Sequence, residues 1–172
     1  MMRRAIVVSM AFIAGCVAYA GVAAEPPPRP ASLSRLLPLR VPDVGPLYAS
    51  GRGAPLVVEV WSLDCGYCRE NVAHLVEWRR AHPRVRIALV ALDPLEEAAS
   101  QLERALAQMQ LPADVLQYGN AEPMPERLRA ALDPEWRGEL PRTLWIDANG
   151  MRRGKSGLLA PAVLDGWLRD AH

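Results

Sequence analysis

The sequence predicts an α/β domain with a central mixed sheet flanked by helices, on three observations. Short apolar runs rich in β-branched residues recur at 56–61, 84–93 and 143–147, with the length and composition of core strands. Between the runs, residues 68–80 and 95–110 repeat apolar side chains at helical offsets, as helices do that bury one stripe. Helical segments of that length between consecutive strands are the crossovers that parallel pairing requires.

The chain begins with the basic segment Met1-Met2-Arg3-Arg4, followed by an unbroken apolar stretch from Ala5 to Ala14 and then small residues. That is the pattern of an export signal, assigned here to residues 1–24. Ala18-Tyr19-Ala20 and Val22-Ala23-Ala24 offer ordinary signal-peptidase sites, whereas Ile13-Ala14-Gly15-Cys16 resembles the bacterial lipobox, in which the cysteine is lipidated and becomes the mature N-terminus. Soluble release and lipid anchoring through Cys16 both stay open, with release preferred. Either route leaves the domain in the periplasm, where disulfides persist. Losing Arg3 and Arg4 lowers the formal charge from +1 to −1, and the remaining arginines are scattered, so no nucleic-acid partner is expected.

Residues 25–55 hold eight of the 16 prolines. The opening Glu25-Pro26-Pro27-Pro28-Arg29-Pro30 is extended and poor in ladder donors, so 25–35 is read as a tether and 36–172 as the domain. Apolar residues return between turn formers from Leu36 to Ser50, which predicts a short strand or hairpin lying along a compact part that starts near Ala54. Leu56-Val57-Val58-Glu59-Val60-Trp61 then suits a strand buried on both faces. Cys68, Val72, Leu75 and Val76 share one helical stripe, with Arg69, Glu70, Arg79 and Arg80 mostly off it, and Pro83 ends that helix. Residues 84–93 form the second core strand. Ala98, Leu102, Ala105, Leu106 and Met109 define a surface-packed crossover helix over 95–110. A short strand is expected at 114–118 and a helix over 125–132, with proline in its first turn. The third core strand, 143–147, enters a tight turn at Asn149-Gly150 and pairs with a strand through 151–156. Pro161 opens a last helix carrying Val163, Leu164, Trp167 and Leu168.

At the junction of the first core strand and its helix, Cys65-Gly66-Tyr67-Cys68 sets two thiols three positions apart. Cys68 lies on the apolar stripe and points inward. Cys65 stands at the helix start, where free N–H groups and the positive end of the dipole favour the thiolate that attacks disulfides. A purely structural disulfide is the weaker reading, because so short a loop removes little unfolded-state entropy. Zinc normally takes four ligands; no second cysteine pair is present, and His74 and His82 lie off the Cys68 stripe, so no metal or other cofactor is assigned. A Cys-x-x-Cys alone is moderately specific, and its strand-to-helix setting strengthens it. Glu59, six positions before Cys65 in a core strand, is the other candidate. A carboxyl moved out of water has a raised pKa and can exchange a proton with Cys68; the competing reading is a solvated residue on a half-exposed face.

The order strand, Cys-x-x-Cys, helix, strand, helical insert over 93–139, Pro141 before a strand, Asn-Gly hairpin and terminal helix resembles the thioredoxin fold. More closely it resembles the exported TlpA/ResA-like thiol:disulfide oxidoreductases. The resemblance spans nearly all of 36–172 and is most specific at 61–68 and at Leu140-Pro141-Arg142-Thr143-Leu144-Trp145-Ile146-Asp147. It implies a thioredoxin-like fold whose helical insert precedes a cis-proline strand. It also implies that Leu140 and Pro141 border the dithiol and, with Trp61 and Tyr67, bind the client, and that Glu59 stands at the buried acid of thioredoxins. From the residues alone, Pro141 is a proline that begins a strand. Where many relatives place a glutamate three residues after the second cysteine, this chain has Asn71, with Glu70 one position earlier. Asp64 stands where thioredoxins often have tryptophan. Tyr67 replaces a common proline, giving Cys-Gly-Tyr-Cys as in the periplasmic isomerase DsbC, whose N-terminal dimerisation domain has no counterpart in 25–55.

These features predict an enzyme, a thiol:disulfide oxidoreductase that acts on protein thiols and disulfides outside the cytoplasm. In the reducing direction Cys65 attacks a client disulfide and Cys68 resolves the mixed disulfide. A membrane electron donor or acceptor recycles the pair, and cytochrome c maturation is a duty the resemblance suggests. Two alternatives stay open. One is an oxidant or isomerase using the same cysteines, and the other is a non-catalytic module that holds a client beside Pro141.

Overall fold

The computed structural model describes residues 36–171. The expected export signal at 1–24, with Cys16, and the expected tether at 25–35 lie outside the described residues. Six strands form one sheet: β1 (Leu37–Leu39), β2 (Leu56–Trp61), β3 (Arg86–Pro94), β4 (Leu116–Asn120), β5 (Arg142–Ile146) and β6 (Arg152–Ser156). They lie in the order β1-β4-β3-β2-β5-β6. The first four run parallel, while β5 is antiparallel to β2 and β6 to β5. Five helices join them: α1 (Val41–Ala49), α2 (Gly66–Ala81), α3 (Leu95–Gln108), α4 (Pro125–Leu132) and α5 (Pro161–Asp170). No helix among the described residues is long and apolar enough to cross a membrane.

Connection handedness decides which face each helix covers. The β2–α2–β3 and β3–α3–β4 connections step across the sheet in one direction and β1–α1–β2 steps back, so right-handed crossovers put α2 and α3 on one face and α1 on the other. The two cores agree. Val57, Trp61, Leu89 and Trp145 meet Cys68, Val72 and Leu75 of α2, Leu102 and Leu106 of α3, and Leu164 of α5. On the opposite face Val58, Val60, Val90 and Leu144 meet Val44 and Leu47 of α1 and Leu128 and Leu132 of α4. All six residues of β2 are buried, as its continuous apolar run anticipates. The chain reaches β2 from one face and leaves it on the other, so the carboxyl end of β2 is the switch point at which an open α/β sheet presents a site.

The main difference from the sequence reading lies at 36–50. The expected strand or hairpin is instead β1, paired with β4 inside the sheet, followed by the helix α1. With Pro42, Gly45 and Pro46 in nine residues, α1 has poor intrinsic propensity. Tertiary contacts override it: Pro42 falls in the first turn, Val44 and Leu47 are buried, and the Glu122 carboxylate accepts the Val41 N–H at 2.8 Å, satisfying an orphan donor at the positive helix end. At the β5–β6 turn, Gly150 adopts φ 90°, and Asp147 Oδ1 accepts the N–H groups of Asn149 and Met151 at 2.9 and 2.8 Å.

Candidate redox site

A disulfide joins Cys65 and Cys68 at the carboxyl end of β2, with S–S 2.05 Å and Cα–Cα 5.4 Å. Cys65 is the N-cap residue of α2, in extended conformation, and Cys68 lies in the first helical turn. The apolar stripe of α2 turns Cys68, Asn71, Val72, Leu75 and Trp78 toward the sheet. Cys68 is therefore 0% exposed, whereas Cys65 is only half-buried. The turn ahead of the pair is held twice: Cys65 N donates to Ser62 O at 3.2 Å, and Leu63 N donates to Asp93 Oδ2, beyond the end of β2, at 3.0 Å. Asp64 is exposed, so its carboxylate is solvated and its charge screened. At the far end of α2, Trp78 Nε1 donates to Asp165 Oδ1 of α5 at 2.7 Å, and His82 stacks on Trp78 at 4.2 Å.

Glu59 is 0% exposed. Strand alternation turns it, with Val57 and Trp61, toward α2. Antiparallel register sets Thr143 of β5 directly opposite. Asn71 Nδ2 donates to Glu59 Oε1 at 2.8 Å and lies 3.1 Å from Thr143 Oγ1, while Thr143 Oγ1 donates to Glu59 Oε2 at 2.7 Å. Asn71 Oδ1 accepts the Leu159 N–H at 2.7 Å. Burial pushes the Glu59 carboxyl up to about 8, against the downward pull of the hydrogen bonds from Asn71 and Thr143. Asn71 follows Cys68 by three positions, so both face the sheet from adjacent turns of α2. An acid pushed up to about 8 is thus hydrogen-bonded to the residue that follows Cys68 by three positions on the buried face of α2.

The Leu140–Pro141 peptide is cis, and both residues lie just beyond the last β2–β5 register pair, Val60 with Arg142. Pro141 is buried and Leu140 half-buried against the core that contains Cys68. Gly157, at φ 85°, donates its N–H to Pro141 O at 2.8 Å. Two residues on, Leu159 is tied to Asn71. The segment between β6 and α5 is therefore pinned to both the proline and the dithiol helix, with Leu158 left 41% exposed between the two anchors. Tyr67, between the two cysteines, is 65% exposed.

Trp61 requires a correction. Expected among the client-binding residues, it is 0% exposed and packs in the core, because β2 is central in the sheet and α2 covers that face. Glu70, the alternative acid, is exposed on the outer side of α2. Thr143, Asp93 and the pairing of Asn71 with Glu59 escaped the sequence reading. Asn71 sits on the Cys68 stripe, a polar residue where the helix buries its face, and that was the available signal. No pattern in the chain announces that Thr143 lies across from Glu59, because register joins residues 84 positions apart. A surface cleft lined by Tyr48, Asp133, Arg142 and Arg152 lies on the α1–α4 side, and neither cysteine lines it. Its polar groups already serve one another, through the Arg142–Asp133 ion pair and the Tyr48 hydroxyl donating to Leu132 O.

No family model and no curated protein matches the sequence. Solved structures do match. The thioredoxin domain of a thiol-disulfide oxidoreductase from Bacteroides vulgatus superposes with a TM-score of 0.54 at 16% identity, covering 72% of this chain and 84% of that one. A thioredoxin-related protein from Neisseria meningitidis serogroup B gives 0.51 at 22% identity, over 70% and 87% of the two chains. A secreted Mycobacterium tuberculosis disulfide oxidoreductase, described as homologous to E. coli DsbE, gives 0.50 at 18% identity, over 71% and 85%. The chain has the thioredoxin-like fold that the resemblance implied, with the six-stranded mixed sheet flanked by five helices.

Proposed function

We propose that this protein is an extracytoplasmic thiol:disulfide oxidoreductase that reduces disulfides in protein clients through Cys65 and Cys68. The observation that carries the reading is the asymmetry of the pair: one half-buried sulfur at a helix start and one fully buried sulfur on the same helix. In the reduced protein the helix N-terminus favours the Cys65 thiolate. That thiolate attacks a client disulfide, forming a Cys65–client bond while the other client sulfur leaves as a thiolate. Cys68 then loses its proton to the Glu59 carboxylate and attacks Cys65 Sγ, closing the intramolecular disulfide and releasing the second client sulfur. Two electrons pass to the client, and a membrane thiol donor restores the dithiol. An acceptor that ionises near neutrality suits transfer from a thiol, since the two proton affinities are close. Leu140, Pro141 and Tyr67 form the client-facing rim. Apocytochrome c thiols in a maturation pathway are the client class favoured by the TlpA/ResA-like resemblance.

Insulin reduction with dithiothreitol as donor tests the activity. A rate abolished by Cys65→Ser supports it, and no Cys65-dependent rate would make the domain a binding module. A high reduction potential in a glutathione titration would instead favour the oxidant or isomerase. A Cys68→Ala variant expressed in its own periplasm should accumulate mixed disulfides from which the client is identified.

A further inference from the structure

We propose that Asn71 is a positioning residue that sets the pH at which Glu59 ionises, its amide held in one orientation by the backbone of the segment before α5. The consequence for disulfide exchange rests on the reading of Glu59 as the proton acceptor of Cys68; the effect on Glu59 itself does not.

Leu159 fixes the orientation of the Asn71 amide. Its backbone N–H can only donate, so the amide atom it meets at 2.7 Å must be Oδ1. Nδ2 is thereby directed toward Glu59 Oε1 and Thr143 Oγ1, at 2.8 and 3.1 Å. The Thr143 oxygen accepts one of these hydrogens, which leaves its own hydrogen for Glu59 Oε2 at 2.7 Å. The carboxyl therefore receives two donors and meets no acceptor. That arrangement favours the carboxylate, because a proton added at Oε2 would confront the hydroxyl hydrogen and force one of the two to turn into an apolar core. Burial acts in the opposite direction. A reversed amide would orphan the Leu159 N–H and set two acceptors face to face, so the backbone bond holds the system in the donating arrangement.

Among the described residues the charged side chain nearest to Glu59 in register is Lys155 of β6, opposite Thr143 on the same face of the sheet, and it is exposed to solvent. From α2 the inward side chains are Cys68, Asn71, Val72 and Leu75, while Arg69, Glu70 and His74 are exposed. From β3 the neighbour is Leu89, from β5 Thr143, and beyond them lie Trp145, Leu159 and Leu164. Arg142 pairs with Asp133 and Asp165 accepts from Trp78. Cys68, on the same buried face of α2 as Asn71, does not ionise in the disulfide.

The test follows the Glu59 side-chain carboxyl carbon by NMR across pH in the oxidised protein, where neither cysteine titrates. Asn71→Ala should raise the Glu59 midpoint by about one pH unit or more, the scale of a lost hydrogen bond to a charge. Asn71→Asp keeps the shape and the acceptor for Leu159 but removes the donor, so it covers the case in which the alanine variant does not fold. There the introduced carboxyl shares a proton with Glu59, and the upper of two titration steps should lie above the wild-type midpoint. Midpoints unchanged in the folded variants would overturn the proposal and leave Asn71 a structural clamp, even if melting temperatures fall. The rate at which Cys68 resolves a mixed disulfide is then measured against pH. If the Glu59 midpoint moves and this rate profile does not, Asn71 keeps its role and Glu59 loses its place in the relay.

Discussion

Replacing Glu59 with glutamine keeps the shape of the side chain, an acceptor for Asn71 and a polar contact with Thr143, and removes only the titration. In the folded protein the carboxyl is pushed up to about 8 from its ordinary 4.5. Between those two pH values the native state holds a proton that the unfolded chain has released, so wild-type stability falls as pH rises. At 1.36 kcal/mol per unit, the loss between pH 4 and pH 7 is roughly 3 kcal/mol, and it levels off near 5 kcal/mol above pH 9. The stabilisation is complete below the unfolded value and is lost as pH climbs through the folded one. Glu59→Gln should match wild type to within about 1 kcal/mol at pH 4 and exceed it increasingly toward pH 9, because no ionised group then has to be kept out of water. Urea unfolding of both oxidised proteins from pH 4 to 9 reads this directly, since every other carboxyl titrates alike in the two and cancels in the difference. Parallel stability profiles would refute the assignment of Glu59 as a buried group ionising near neutrality. In the reduced protein the same variant should slow resolution by Cys68 and flatten its pH dependence while leaving the first attack by Cys65 nearly unchanged.

In the reduced protein, limiting iodoacetamide at neutral pH should alkylate Cys65 before Cys68, because one sulfur is half-buried and the other enclosed; mass mapping that found Cys68 modified first would reverse the roles of the two. Leu102→Ala empties a fully buried site between α3 and the sheet and should cost about 2–5 kcal/mol in urea unfolding. Deleting 25–34 from a chain that begins at residue 25 should leave the dithiol potential and melting temperature nearly unchanged, since that stretch has little periodic apolar content. A fall of several degrees would mean that it packs on the domain.

Much of this protein is local enough to be legible in its sequence. The apolar run that ends 84–93 reports a strand buried on both faces, and the helical stripes over 68–80 and 95–110 report burial of one face. These segments fold as β3, α2 and α3, within two residues at most boundaries, and 125–132 folds as α4 throughout. The inward Cys68 and the terminal Cys65 follow from the same stripe, since helical spacing alone sets which side chains share a face. Where long-range contacts outweighed local preference, the sequence misled: α1 forms through Pro42 and Pro46 because Val44, Leu47 and the distant Glu122 hold it. Trp61 looks like a rim residue beside the cysteines, yet the central place of β2 encloses it. The state of Glu59 belongs wholly to the tertiary structure. Its burial comes from α2 lying over β2, and its hydrogen bonds come from Thr143 across an antiparallel ladder and from Asn71, itself oriented by Leu159 88 positions away. A carboxyl's proton affinity depends on every group within a few ångströms, and those groups are gathered by strand order and register, which no local pattern in the chain encodes.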